Sequence, residues 1–390
     1  MPWKETHVVD SRLEFVLRAL RDEVPFRDLC TQYGISPKTG YKWTRRFLEH
    51  GPHRLHDLSR KPHHCPSQLA EDVMCEMIRI KIDHKGWGPR KVRQVYARKY
   101  PEVELPSDST FKRVLEKAGL VHKRKRKPSD TCGRIELGIV PDAPNVLWTV
   151  DFKGWWYTAN RQRCEPLTVR DGYSRFVLCA AALDDAKSLT VRRQFERLFE
   201  THGLPLAIRS DNGTPFACTR APLGLSRLSA WWVALGITWD PIPPGRPDKN
   251  GGHERMHRDI ALEVESVPET NLRHQRAALE AWRHTFNFQR PHEALGMRTP
   301  AEVYCKSQRP FPNPPHELSY PTGFLTRKVN QAGAIRLHAI RLTISTAVSG
   351  WHLGLKPSGT DGFLVYFGPL CLGVIDLRTE AFKAAYGKSD

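Results

Sequence analysis

Three acidic residues stand in settings suited to the same chemistry. Asp151 lies in VLWTVDFKGWW, Asp211 in LPLAIRSDNGTPF and Glu254 in PIPPGRPDKNGGHERMHR. Intervals of 60 and 43 residues exclude a single local element, so a folded sheet with a helix beside it must gather them. Breaking and joining phosphodiesters requires an attacking oxygen, a leaving oxygen and relief of negative charge on the phosphoryl group. Two divalent cations about 3.5–4 Å apart supply all of this, and hard ions such as Mg²⁺ take carboxylate oxygens. One acid shared between the ions and one more for each makes three. Asp151 is then the shared ligand, Asp211 a ligand of one ion and Glu254 a ligand of the other. Without metal such a cluster repels itself, which should raise at least one pKa. Singly, the acids have plainer readings: a turn acid at Asp211-Asn212-Gly213, or a first-turn acid favoured at a helix N-terminus at Glu254.

The elements that must position them are legible. Val146, Trp148 and Val150 alternate with less apolar residues, so Asp151 rides on a strand. A hairpin follows over Leu167 to Ala181, bent at Asp171-Gly172. Thr190–Thr201 carries Val191, Phe195, Leu198 and Phe199 on one helical face. A short strand at Leu206–Arg209 delivers Asp211, and Asn212-Gly213 turns the chain. A helix over Leu228–Leu235, a strand at Ile237–Trp239 and a Pro- and Gly-rich loop at 241–252 precede the helix that begins near Glu254. The order predicts a mixed sheet with helices packed on it.

At these residues the sequence resembles a known family. Trp148, Asp151, Phe152, Lys153 and Gly154 match a W-x-x-D-F-K-G setting, and Asp211, Asn212 and Gly213 match D-N-G. Gly245, Arg246, Pro247, Gly252, Glu254, Arg255, His257 and Arg258 match G-R-P…G…E-R-x-H-R, and Ala281–Ala301 matches A-W-R-x-x-[YF]-N-x-x-R-P-H-E-A-L-G-x-x-T-P-A. The chain is similar to the DDE transposase and retroviral-type integrase superfamily, closest to insertion-sequence transposases of the IS481 type, relatives of the IS3 type. The resemblance implies a ribonuclease H-like core, with Asp151, Asp211 and Glu254 as catalytic acids and ligands of two Mg²⁺ ions, Mn²⁺ substituting. The second and third acids lie farther apart than is customary there, and Cys218–Ser229 is where extra loop is expected.

The rest of the chain agrees. A net charge of +18 favours a polyanionic partner. Nine scattered cysteines without a C-x-x-C pair indicate a reducing compartment and no zinc site, His63-His64-Cys65 lacking further ligands. No apolar run suggests a membrane span, and no phosphate-binding G-x-x-x-x-G-K-[ST] loop is present. Helices over 12–21, from Pro25, and from the Ser36-Pro37 start signal read as a helix-turn-helix. Lys38, Thr39, Lys42, Arg45 and Arg46 on the third helix are candidate DNA contacts. A His-, Pro- and Arg-rich linker runs from His50 to Pro66. A second helical module follows, with helices over 69–82, 91–100 and 107–118, and Trp87 is read as a core plug. Residues 1–130 hold 28 Lys+Arg against 17 Asp+Glu. The run Lys123, Arg124, Lys125, Arg126, Lys127 is expected to meet phosphates, and Arg255, His257, Arg258, Arg290 and His292 surround the acids in sequence, Arg255 and Arg258 as DNA contacts. After a Pro-rich boundary, short alternating runs predict a small C-terminal β-barrel.

The expectation is therefore multidomain. Residues 1–60 form a helix-turn-helix domain, 66–128 a second helix-turn-helix-like module with a basic tail, 140–306 an α/β ribonuclease H-like integrase core and 318–382 a small β-barrel. The function expected is DNA transposition: cleavage at element ends and transfer of the 3′-OH into target DNA. Double-stranded DNA (terminal inverted repeats and target) and a homo-oligomer on paired ends are the partners, in the bacterial cytoplasm with the nucleoid and without a membrane. The alternatives are a catalytically inactive DNA-binding regulator and a related recombinase or nuclease.

Overall fold

A computed structural model describes residues 7–58, 69–121, 138–243, 250–312 and 317–385. The chain divides between Ala70 and Glu71 into two units. In the first, helices α1 (Val8–Arg21), α2 (Phe26–Gln32) and α3 (Pro37–His50) surround Phe15, Val16, Leu29, Cys30 and Trp43. Gly34 makes the turn before α3 with φ of 64°, a backbone state that favours glycine. Ser36 then caps α3, its hydroxyl accepting from the Thr39 amide at 3.3 Å, with Pro37 in the first turn. Gly40 lets α3 approach closely, since a Cβ there would lie 2.8 Å from Cys30 Sγ and 2.9 Å from the Phe15 ring. The start of the expected linker is not wholly linker: Pro52–Leu55 forms a 3₁₀ turn that buries Leu55 in this core, and Arg12 Nη1 donates to its carbonyl at 2.7 Å.

The second unit opens with α4 (Glu71–Asp83), α5 (Pro89–Lys99) and α6 (Asp108–Lys117). Trp87 is buried there, stacked on His84 at 3.7 Å between ring centroids.

The central sheet follows. Strands β1 (Leu147–Phe152), β4 (Pro166–Asp171) and β5 (Val177–Ala182) are antiparallel neighbours, with the two-stranded β2 (Trp156–Tyr157) and β3 (Arg163–Cys164) between β1 and β4 in sequence. After α7 (Ser188–His202), β6 (Ala207–Ser210) joins β1 in parallel; after α8 (Arg227–Ala234), β7 (Thr238–Pro241) joins β6 in parallel. The strand order is β5-β4-β1-β6-β7. Strand alternation divides its residues between two faces. Trp148, Val150, Leu167, Val169 and Ile208 pack on Phe195, Phe199, Trp231 and Trp232 of α7 and α8. On the other face Val177, Ala180 and Ala182 pack on Met256 and Ile260 of α9 (Gly251–Ile260) and on Leu279, Trp282 and Phe286 of α10 (Leu272–Phe288). Asn287 of α10 clasps β5, donating to the Val177 carbonyl at 2.9 Å and accepting from its amide at 2.8 Å.

The C-terminal strands β8 (Leu325–Lys328), β9 (Ala334–Leu337), β10 (Ile340–Thr343), β11 (His352–Pro357), β12 (Gly362–Phe367), β13 (Leu370–Asp376) and β14 (Ala381–Ala384) form two sheets. One is five-stranded, ordered β14-β13-β12-β11-β8, and the other is the β9–β10 hairpin. Among the described residues these sheets do not close, so the expected barrel is corrected to an open sheet with a hairpin. Strand alternation fixes faces, whereas closure depends on strand number, tilt and stagger. The core between them includes Val329, Ile335, Leu353, Val365 and Phe367, and it reaches Ala230 and Val233 of α8. No helix among the described residues is long and apolar enough to cross a membrane.

Candidate active site

The pairing of β1 with β6 sets the first two acids side by side. Leu147 lies opposite Ala207, Trp148 opposite Ile208 and Thr149 opposite Arg209, a constant offset of 60 residues. Asp151, on β1, and Asp211, directly after β6, share that offset just beyond the last paired residues, and the Asp211 charge bears on Asp151. The third acid arrives on a helix fastened over the same face. Thr149 and Asp151 of β1 lie opposite Arg170 and Thr168 of β4, and α9 is attached to these threonines through two histidines one turn apart.

The hydrogen positions follow from the partners. Thr168 donates its hydroxyl proton to the Asp151 carbonyl at 2.8 Å, so His257 Nε2–H donates to Thr168 Oγ1, also at 2.8 Å. His253 Nε2–H faces the Thr168 carbonyl at 3.4 Å, leaving Nδ1 to accept from the Thr149 hydroxyl at 2.9 Å. Both rings are neutral. Burial drives His253 well below the usual range, and burial, with Lys153 and Arg170 nearby, pushes His257 to about 4. His257 therefore positions α9 from inside the protein. Between the two histidines in sequence, Glu254 and Arg255 are exposed, as is Arg258.

Asp151 is the acid on which the others bear. Burial, then the negative charge of Asp211, pushes Asp151 up to about 7, with Glu254 adding further repulsion. Asn250 opposes this by donating from Nδ2 to Asp151 Oδ2 at 2.8 Å. Asp211 is also raised by burial, against a backbone N–H from Gly213. Its Oδ1 is buried without a hydrogen-bond partner among the described residues. A buried carboxylate oxygen left bare is costly unless a cation or donor joins it. Asn212 holds the turn by donating to the Ile242 carbonyl at 2.6 Å. Among the described residues, no three His, Cys, Asp or Glu side chains converge on a single ion position.

The remaining sequence candidates separate by exposure. On α3, Lys38, Lys42 and Arg45 are exposed along one stripe together with Tyr41, which sequence reasoning did not single out. Thr39 is engaged in the cap, its Oγ1 3.0 Å from Ser36 Oγ, and Arg46 lies over the Trp43 ring at 5.0 Å. Arg290 is not at the surface: it is 4% exposed and pairs with Asp259 at 2.8 Å. The run Lys123, Arg124, Lys125, Arg126 and Lys127, the segment Gly245, Arg246 and Pro247, and His63-His64-Cys65 lie outside the described residues. Asn250 and His253 were missed; alternation around Asp151 and the i, i+4 spacing of His253 and His257 were the available signals.

A mixed sheet with acids at the ends of adjacent central strands, crossed by a helix bearing a third, defines an integrase-type catalytic core. The integrase core domain family matches residues 141–247 and again 235–300, a helix-turn-helix domain family matches 11–63, and a homeodomain-like family matches 39–115. The insertion element IS407 31.7 kDa protein of Burkholderia multivorans is 30% identical over 259 residues, covering 65% of this chain and 89% of that one. The insertion element IS476 39.2 kDa protein of Xanthomonas euvesicatoria is 27% identical over 280 residues, covering 69% and 77%. The crystal structure of the catalytic core domain of BIV integrase is 24% identical over 41% of this chain and 93% of that one, with a TM-score of 0.32. The chain belongs to the insertion-element transposases of the DDE class. It is a polynucleotidyl transferase that binds DNA, and catalytic cores of this kind use divalent metal ions.

Proposed function

We propose that Asp151, Asp211 and Glu254 are the catalytic acids of this transposase, and that they hold two Mg²⁺ ions, with Mn²⁺ as a substitute. The observation that supports this reading is that the charges of both Asp211 and Glu254 bear on Asp151, Asp211 following directly on β6, the parallel neighbour of the strand that carries Asp151. The donor set fits hard divalent cations: all-oxygen, with one buried oxygen bare. In this reading Asp151 is shared between the ions, Asp211 belongs to one and Glu254 to the other. Mg²⁺ commonly binds through one or two carboxylates and completes its shell with water and substrate phosphate.

When bound, the ions neutralise charge on the phosphoryl group and activate the attacking oxygen. The chain's own residues do the rest. Asn250 orients Asp151, Asn212 and Gly213 fix the Asp211 turn, and His253 and His257 hold α9, which carries Glu254. The reaction exposes a 3′-OH at each element end and then joins it to target DNA by in-line displacement, without a protein nucleophile. The helix-turn-helix carrying Lys38, Lys42 and Arg45 recognises the terminal inverted repeats, and two ends handled together call for a dimer or larger assembly. The C-terminal sheets serve as a further nucleic-acid or assembly surface.

The test uses the purified chain, Mg²⁺ and a labelled fragment carrying the element's end. New 3′-OH ends should form only with the metal and vanish in Asp151→Asn. Specific binding without cleavage, even with Mn²⁺ and paired ends, would favour a DNA-binding regulator instead.

A further inference from the structure

Beside the first turn of α9 lies a small cavity of about 120 Å³ whose lining is unusually basic. Lys91 comes from α5, Arg170 from β4, Arg175 from the β4–β5 turn, Arg255 from α9 and Arg290 from just beyond α10. Five separate segments of the second unit thus converge their cations on one space. Two carboxylates share the lining, Asp259 and the exposed Glu293, and Asp259 is already paired with Arg290.

Arginines that only brace a fold saturate their donors. These do not. Arg170 and Arg290 are 7% and 4% exposed, yet among the described residues Nε of both and Nη1 of Arg290 lack a hydrogen-bond partner. Glu263 Oε1 stands 3.9 Å from Arg290 Nη1, beyond hydrogen-bond reach. Burial weighs on three of these cations: Lys91 falls to about 8 through burial and then Arg290, Arg170 to about 10 chiefly through burial, and Arg175 is lowered by burial and then Arg255. A buried guanidinium with open donors is expensive. Gly252 gives the cavity its floor, since a Cβ there would come within 2.7 Å of the Arg170 guanidinium.

We propose that this cavity is a binding site for one phosphate group, held by Arg170 and Arg290 from within and by Lys91, Arg175 and Arg255 at its mouth. Its volume is several times the roughly 10–15 Å³ of probe-occupied space that one water needs, which leaves room for a tetrahedral oxyanion. Forked guanidinium donors suit phosphate oxygens in pairs. The group is either a backbone phosphate of bound DNA or a free phosphate. The site stands apart from the metal-binding reading, because none of its cations depends on the three acids.

The experiment needs no divalent metal and no turnover. Thermal unfolding of the full chain is followed in sodium phosphate and in sodium chloride of equal ionic strength. Phosphate should raise Tm by about 2 °C or more, and Lys91→Gln and Arg175→Gln should each lose most of that rise. These mouth positions are chosen because removing Arg290 strands Asp259 and endangers folding. Asp151→Asn should keep the full effect, which separates this claim from the catalytic one. A second arm repeats the titration on Asp151→Asn saturated with duplex DNA. Loss of the phosphate effect there assigns the site to a strand phosphate, and its persistence assigns it to free phosphate. No rise in the wild type, or an equal rise in both mouth variants, overturns the proposal.

Discussion

Asp151, proposed above as a catalytic acid, carries a cost in stability. With its pKa raised to about 7, the folded protein keeps a proton there that the unfolded chain releases near the ordinary carboxylate value. Between those values the native state binds more protons, so stability must fall as pH rises through the window. From pH 5 to pH 8, without divalent metal, wild-type Tm should drop by about 3 °C or more beyond the drop of Asp151→Asn, measured by calorimetry. Equal slopes would show that Asp151 is not strained by its neighbours. The acids themselves were legible as residue types in turn and strand contexts. The larger cause of the shift was not, because burial is a property of the folded sheet; sequence reasoning anticipated repulsion alone.

At the scale of elements, the link between β4 and α9 decides where Glu254 stands. Thr168 is the junction, bonded to the Asp151 carbonyl and to His257. Thr168→Val keeps the shape and strands the His257 N–H, so it should cost about 1–3 kcal/mol in urea unfolding and slow DNA joining as α9 loosens. Unchanged stability would mean that the histidines are not the attachment. Most of these elements could be read from the chain: the strand under Asp151, the hairpin at Asp171-Gly172, the helix through Phe195 and Phe199, and the Ser36-Pro37 helix start. Their neighbours could not. That β6 lies beside β1, in its observed register, follows from strand order, which periodicity does not encode. The convergence of Arg170, Arg175 and Lys91 was invisible for the same reason, and alternating C-terminal runs gave strands without saying whether they close.

For the whole molecule, the +18 charge and the basic α3 stripe make DNA affinity a salt-dependent quantity. Replacing Lys38, Lys42 and Arg45 together by Gln should flatten the slope of log K against log salt by about 3, followed by fluorescence anisotropy on duplex DNA. An unchanged slope would remove α3 from the phosphate contacts. The central claim, however, is that three distant acids act as one catalytic site. Its most direct test is the joining of a pre-cleaved 3′-OH end to plasmid DNA by the wild type and by Asp151→Asn, Asp211→Asn and Glu254→Gln, all at equal DNA occupancy. Each variant should lose joining by more than the roughly 10–100-fold typical of groups that merely support a metal ligand, with DNA binding retained. Near-wild-type joining by any one of the three would contradict the account and take that residue out of the site.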